Sequence, residues 1–270
     1  DVAGRARVSG ARSDLGCFEV DRVAEPLNVK VSAIRGIAPL TVTFVPDAGG
    51  EAVAWKFGDS GWTEASAGAI EHTFAEGEWT VQARTAEGGG TLPVPIKINA
   101  VAKTLRLAPG NVPSLTEAYE LAADGCVIEL EAGDYVLDGT LNVKKGVVVR
   151  GETGNPADVT LRPANAANRI LTLAHPQSCI QSLTITGGKY ADDGGAAYVA
   201  EAGGTFSNCV FTANRPNKWG CRGALALESP NALVTHCVFS NNNCNASGNG
   251  SGYDAGGGIA LYMTAGTVRN

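Results

Sequence analysis

Large side chains are in short supply in this chain. Aromatic residues make up 6% of it and methionine occurs once, so its interior has to be assembled mainly from aliphatic groups. No apolar run approaches the roughly 20 residues that a membrane-spanning helix requires, and no span is expected in this segment. The net charge of −6 is mild and dispersed, which argues against a nucleic-acid partner, since phosphate binding needs a basic stripe. Among Cys17, Cys126, Cys179, Cys209, Cys221, Cys237 and Cys244 there is no C-x-x-C pair, so a zinc site is not expected. The G-x-S-x-G, H-E-x-x-H and P-loop motifs are missing as well. No metal and no cofactor is expected. A signal peptide is not visible and Asp1 is no native start, so the chain is expected to be a mature product or a piece of something longer.

Glycine, by contrast, is abundant at 35 residues without a collagen period, as in a chain with many turns. The turns recur. "NCVFTAN" (Asn208 to Asn214) returns 28 residues later as "HCVFSNN" (His236 to Asn242). In a wider window Thr205 aligns with Leu233 and Thr267, at separations of 28 and then 34. Gly195, Gly223 and Gly257 align at the same two separations. Asn208, His236 and Asn270 share one repeat position, Asn214 and Asn242 another, and six extra residues enter in "NASGNGSGYD". Self-similarity with a variable loop is the mark of a solenoid.

The repeated pieces "TFSNCVFT" and "LVTHCVFS" are short, β-branched and alternating, which makes them strands. A repeat of this length built from several short strands is one coil of a parallel β-helix. Each coil adds about 4.8 Å along the axis, so equivalent side chains stack. Cys209 is therefore expected over Cys237, with Val210 or Phe211 over their copies, inside or outside according to the alternation. Asn214 over Asn242 is expected to pass amide hydrogen bonds between coils at a bend. Flanked by apolar or β-branched residues, Cys209 and Cys237 are expected to be free, buried core thiols rather than reactive ones. Cys221 and Cys244 lie in polar loop sequence at the edge of neighbouring coils. They are the disulfide candidates in an oxidising setting.

Upstream, "VPSLTEAYELAADG" reads as a helix over 114–123 covering the open end of the solenoid. Ser114 and Glu117 make a capping box, Leu115, Ala118, Tyr119 and Ala122 share one face, and Gly125 suits the C-terminal cap. Strands follow in "CVIELEAGDYVL", "LNVKKGVVVRG" and "DVTLRP". With "KKGVVVRGE", "CIQSLTITGG", "GGTFSNCVFTAN" and "GGGIAL", residues 104–270 resemble the start of a right-handed parallel β-helix of the pectin-lyase-like superfamily. More narrowly they resemble surface proteins with polymorphic-outer-membrane-protein-like repeats. That resemblance implies a secreted or cell-surface bacterial protein. It does not imply an activity, because lyases, hydrolases and inert adhesins share the frame.

The earlier part is a different unit. "LNVKVSA", "LTVTFVP", "AVAWKF", "AIEHTF", "EWTVQART" and "PVPIKINA" are short alternating strands split by turns, the pattern of a small β-sandwich over 27–101. "WKFGDSG" followed by "HTFAEGEWTV" resembles the polycystic-kidney-disease (PKD) domain, with Lys56 and Trp79 as departures from its usual residues. The resemblance implies a spacer, or a protein- or glycan-contact module. A lone His72 in such a strand is expected to be structural. Residues 1–26 resemble the closing segment of a preceding β-helix, the alternative being an ordinary N-terminal arm, and the solenoid over 102–270 is expected to be truncated at Asn270 in mid-coil. The fold class is therefore all-β, a PKD-like sandwich followed by a parallel β-helix with an N-terminal capping helix.

Two sets of loop residues are candidates for function. Tyr190, Trp219 and Tyr253 sit five, four and four residues before the aligned glycines and so form a column along one edge. With Lys189, Lys218 and Asp254 they could hold a glycan, or the rings could pack on one another to hold loops down. Asp193, Arg222 and Asp254 lie near the same edge. As a glycosidase or lyase centre they would give a polysaccharide-cleaving enzyme; the other reading is a solvated, salt-bridged edge. The expected function is an extracellular structural or adhesive segment. Its expected partners are a polysaccharide, a surface protein, or neighbouring copies in an array or filament.

Overall fold

A computed structural model describes residues 26–86, 90–111, 113–190, 194–216, 223–243, 257–261 and 266–270. Residues 1–25, which carry nearly all of the expected closing segment, lie outside them. The chain divides into two compact units, Asp1–Val101 and Ala102–Asn270.

The first unit is built from antiparallel sheets. One holds β1 (Asn28–Val31), β3 (Leu40–Asp47) and β5 (Ile70–Phe74). The other runs β2-β7-β6-β4, from β2 (Arg35–Ile37), β7 (Ile96–Val101), β6 (Gly77–Thr85) and β4 (Val53–Phe57), with β2 parallel to β7. All six expected strands are present; the short β2 is an addition, too brief to show an alternation. Inward residues of both sheets close one core of Val42, Phe44, Val53, Trp55, Phe57, Phe74, Val81 and Ile98. Phe44 lies 5.3 Å from Trp55 and 5.7 Å from Phe57, so an aromatic cluster forms the centre of this core.

His72, half-buried, packs against this core. Its ring stacks on Phe57 at 3.8 Å, nearly parallel, and burial lowers its pKa below the ordinary 6.5. The unfolded chain therefore takes up a proton at His72 before the folded chain does. Stability present above pH 6.5 is lost as the pH falls below it. Urea midpoints of this unit should decline between about pH 7.5 and about pH 5, and His72→Phe should flatten that decline. An unchanged slope in the variant would assign the decline to other groups.

The second unit is a parallel β-helix. β8 (Thr104–Leu107) opens it, then comes α1 (Leu115–Leu121), then five coils of three strands each. The coils are β9 (Val127–Leu130), β10 (Gly133–Leu137) and β11 (Leu141–Val143); β12 (Val148–Gly151), β13 (Val159–Pro163) and β14 (Leu171–Leu173); and β15 (Cys179–Gln181), β16 (Thr184–Thr186) and β17 (Ala197–Val199). There follow β18 (Gly204–Ser207), β19 (Val210–Thr212) and β20 (Leu225–Leu227); β21 (Ala232–Thr235), β22 (Val238–Ser240) and β23 (Ile259–Leu261); and β24 (Thr267–Arg269). Corresponding strands pair in parallel to give three sheets.

The sequence register holds. Thr205 pairs with Leu233 and Leu233 with Thr267, while Gly195 donates to Gly223 O and Ala224 to Gly257 O. Inside run columns of stacked apolar residues, such as Ile128, Val149, Ile180, Phe206 and Val234, all essentially buried.

The repeated heptad now has a residue-by-residue explanation. Its first position, Asn208 or His236, takes a positive φ of 50° or 53°, as Ser182 does one coil earlier. This left-handed residue turns the chain from one sheet to the next. Cys209 and Phe211 then point inward, Val210 outward, and Phe211 stacks on Phe239 at 4.7 Å. The sixth position, Ala213 or Asn241, is left-handed again and makes the second corner. The seventh is the asparagine ladder. Fully buried Asn214 accepts the Gly188 N–H at 3.0 Å and donates to Ile185 O at 2.9 Å and to Asn242 Oδ1 at 3.2 Å. Asn242 Oδ1 also accepts the Asn214 N–H at 3.0 Å, and its Nδ2 donates to Phe211 O at 2.8 Å.

The helix packs Leu115, Ala118 and Tyr119 into the first coil, and the Ser114–Glu117 capping box is present. Gly125, expected as its C-terminal cap, does something else. The helix ends at Ala122 in extended backbone, and Gly125 donates to Gly146 O in the turn leading to β9. Lys145 takes over the cap: its Nζ donates to the carbonyls of Tyr119, Glu120 and Ala122 at 2.9–3.0 Å. A long cation arriving from β11 satisfies the last turn, so no left-handed glycine is needed there. No helix among the described residues is long and apolar enough to cross a membrane.

Candidate functional site

The loop edge of the solenoid follows β13, β16 and β19, where the chain leaves one sheet and wanders before the next strand. Tyr190 lies on it, and its N–H donates to Gly195 O at 3.2 Å. Lys189 N–H donates to Ala166 O at 2.8 Å, which ties this loop to the one below. The guanidinium of Arg169 lies 4.4 Å from the Tyr190 ring centroid and 4.8 Å from that of Tyr198. Its Nε also donates to Gly194 O at 3.2 Å, and Thr140 Oγ1 holds the Arg169 carbonyl at 2.8 Å. One half-buried cation thus engages two half-buried rings and holds loop and strand together. Gly194 permits this closeness: its φ is +67°, and a β-carbon there would overlap the Ala197 carbonyl.

Sequence reasoning did not include Arg169 or Tyr198. The signal for Tyr198 was present in the alternation of "AAYV", where the tyrosine points outward between buried Ala197 and Val199. Arg169 sits in the irregular loop "ANAANRI", where no periodicity reveals direction. Trp219, Tyr253 and Lys218 lie outside the described residues. So do the Asp193, Arg222 and Asp254 trio and the Cys221–Cys244 pair.

Elsewhere on the solenoid, charge is neutralised where it is buried. Glu129, 6% exposed, receives Arg150 at 2.7 Å and Arg106 at 3.2 Å, and Arg106 also reaches Glu152. These residues alternate in sign across the neighbouring strands β8, β9 and β12. Both oxygens of this carboxylate are taken up by guanidiniums, so the cluster has the geometry of a staple across three strands. Among the described residues no three His, Cys, Asp or Glu side chains converge as metal ligands would.

A cleft lies on the other unit. About 440 Å³ in volume, it is lined by Lys56, Asp59, Glu78, Trp79, Thr80 and Gln82 at the end of β4 and β6. Trp79 is held by its Nε1 donating to Ala75 O at 2.9 Å and lies 5.8 Å from Phe74. The cleft is open to solvent, and its chemistry is that of a contact surface: carboxylates, one ammonium and an amide beside an indole. No family model, no curated protein and no solved structure matches the chain.

Proposed function

We propose that the chain is a non-catalytic structural and adhesive segment of a larger bacterial protein, secreted or displayed at the cell surface. One observation carries this reading. Polar side chains at the solenoid corners bond from coil to coil, as Asn208 does to Ser182, Asn214 to Asn242 and Ser240 to Thr212, at 3.1–3.2 Å. Polar groups engaged in this way stiffen a rod and are themselves taken up by it rather than offered to a reacting substrate. The PKD-like and pectin-lyase-like likenesses, with the polymorphic-outer-membrane-protein-like repeats, belong to the same proposal. In it the sandwich serves as spacer and contact module, and the contact is made through a glycan or a surface protein.

The test pairs two assays on the 270-residue chain. Incubation with pectin-like and other acidic polysaccharides should release no unsaturated or reducing sugar ends. Immobilised chain should retain a surface glycan or an extracellular protein, with retention weakened by Lys56→Ala combined with Gln82→Ala. Sugar-end release that disappears in Arg222→Ala would replace this reading with that of a β-helix lyase or glycosidase.

A further inference from the structure

Residues 27–101 carry eight Asp and Glu against five Lys and Arg, yet four of the five cations stand on one face of one sheet. Strand alternation puts them there. In β4, β6 and β7 the buried positions, Trp55, Val81 and Ile98 among them, alternate with outward ones, and Lys56, Arg84 and Lys97 are outward. Arg35 of β2 pairs with outward Asn99 and so shares the face. The register sets one cation in each successive row. Arg84 comes first, then Lys56 beside Gln82, then Lys97 beside Thr80, then Arg35 beside Asn99. Strands about 4.8 Å apart, rising about 3.4 Å per residue, spread the four over roughly 20 Å.

Cations on the solenoid are paired: Arg106 and Arg150 with Glu129, and Arg162 with Asp134 at 3.6 Å. Among the described residues, Lys56, Arg84 and Lys97 form no ion pair. Arg84 is ordered by Trp62 instead. Its guanidinium lies 4.3 Å from the ring centroid, and the indole is 39% exposed beside it. Like charges in adjacent rows repel one another, a small cost to the free protein that a bound polyanion removes.

We propose that the outer face of the β2-β7-β6-β4 sheet binds a linear anionic polysaccharide along this diagonal of cations. This ligand chemistry rests on the contact role proposed above for the sandwich. A sugar chain suits the face better than another polyanion does. Gln82, Thr80 and Asn99 stand between the charges and offer amides and a hydroxyl to sugar hydroxyls, while Trp62 offers apolar surface to a ring. Glu78 shares the last row with Asn99 and Arg35, and with Asp59 and Glu76 it makes the adjoining cleft acidic. A densely charged polymer such as a nucleic acid is repelled there. A sparsely charged polysaccharide places neutral hydroxyls at that end.

The experiment applies the 270-residue chain to immobilised polymers of one backbone: dextran, carboxymethyl dextran and dextran sulfate. The charged polymers should retain the chain and dextran should not. Whichever of them holds it to higher salt identifies carboxylate or sulfate as the group bound. Retention should vanish by about 1 M NaCl, where the screening length is about 3 Å. Arg84→Gln and Lys97→Gln should each weaken it about twofold to fivefold, and the double variant should approach the dextran baseline. Lys30→Gln, on the other sheet, should change nothing, and Glu78→Gln should tighten binding. Should the double variant lose the wild-type circular dichroism spectrum, the single variants and Glu78→Gln carry the same comparison. Retention indifferent to Arg84 and Lys97, or weakened equally by Lys30→Gln, would overturn the proposal. So would tighter retention on polyglutamate or single-stranded DNA than on either charged dextran. If only dextran or an extracellular protein retains the chain, this ligand chemistry falls and the contact role stands. If nothing retains it, both fall.

Discussion

Replacing Asn214 with alanine should lower the stability of the solenoid by roughly 3–5 kcal/mol, among the larger effects a single polar substitution can have. The side chain is fully buried and occupies three partners: the Gly188 N–H, the Ile185 carbonyl and Asn242 Oδ1. Alanine leaves the first two as buried groups without a partner, at about 1–3 kcal/mol each, and also removes packed volume. Asn242→Ala makes the informative comparison. Asn242 is half-exposed, so water can replace its lost bonds, and the expected cost is about 1 kcal/mol. Urea unfolding followed by far-ultraviolet circular dichroism measures both. The Asn214 midpoint should fall by roughly 1–2 M with little change in slope. Equal losses at the two positions would mean that the ladder contributes through corner geometry rather than through buried hydrogen bonds.

The second large effect is expected at Trp55. It is fully buried in the sandwich core against Phe44 and Phe57, and truncation to alanine should cost about 3–5 kcal/mol. A unit of this size has little more than that in reserve, so Trp55→Ala should leave the sandwich largely unfolded at room temperature. Trp55→Phe should behave differently. The indole Nε1 is a buried donor with no partner, so phenylalanine removes an unpaired polar group while keeping most of the apolar contact. Its net cost should stay below about 2 kcal/mol. Amide hydrogen exchange along β3 and β4 reports on both variants: protection should vanish in the first and persist in the second. A phenylalanine variant as damaged as the alanine one would show that Nε1 has a partner in solution, a water being the simplest.

The architecture was legible because repetition and alternation report directly on stacking. Thr205, Leu233 and Thr267 pair across coils whose lengths differ, and that register could be read by aligning glycines and the two heptads. The asparagine ladder followed from the same alignment, since identical residues at identical offsets in a solenoid must lie one above another. Other features had no such signal. β8, inside the span assigned to the solenoid, is four residues long and lies ahead of the helix, so only its pairing with β9 reveals it as a strand. Lys145 replaces Gly125 as the cap of α1 across more than twenty residues of sequence, a distance over which no local capping rule operates.

The candidate site divides along the same line. The sequence placed Tyr190 on the loop edge, because its distance from Gly195 is fixed by the chain. What its ring touches was decided by Arg169, which comes from the preceding coil through a loop without periodicity. Cys209 and Cys237 give the sharpest contrast. Sequence alone set them one above the other, since both follow the left-handed residue of the same repeated corner. What each touches only the packing shows: the Cys209 thiol reaches Ile180 O and Ser207 O, and its N–H reaches the Cys237 sulfur. Periodicity determines which residues meet. Burial, a property of everything around them, decides what those residues can do.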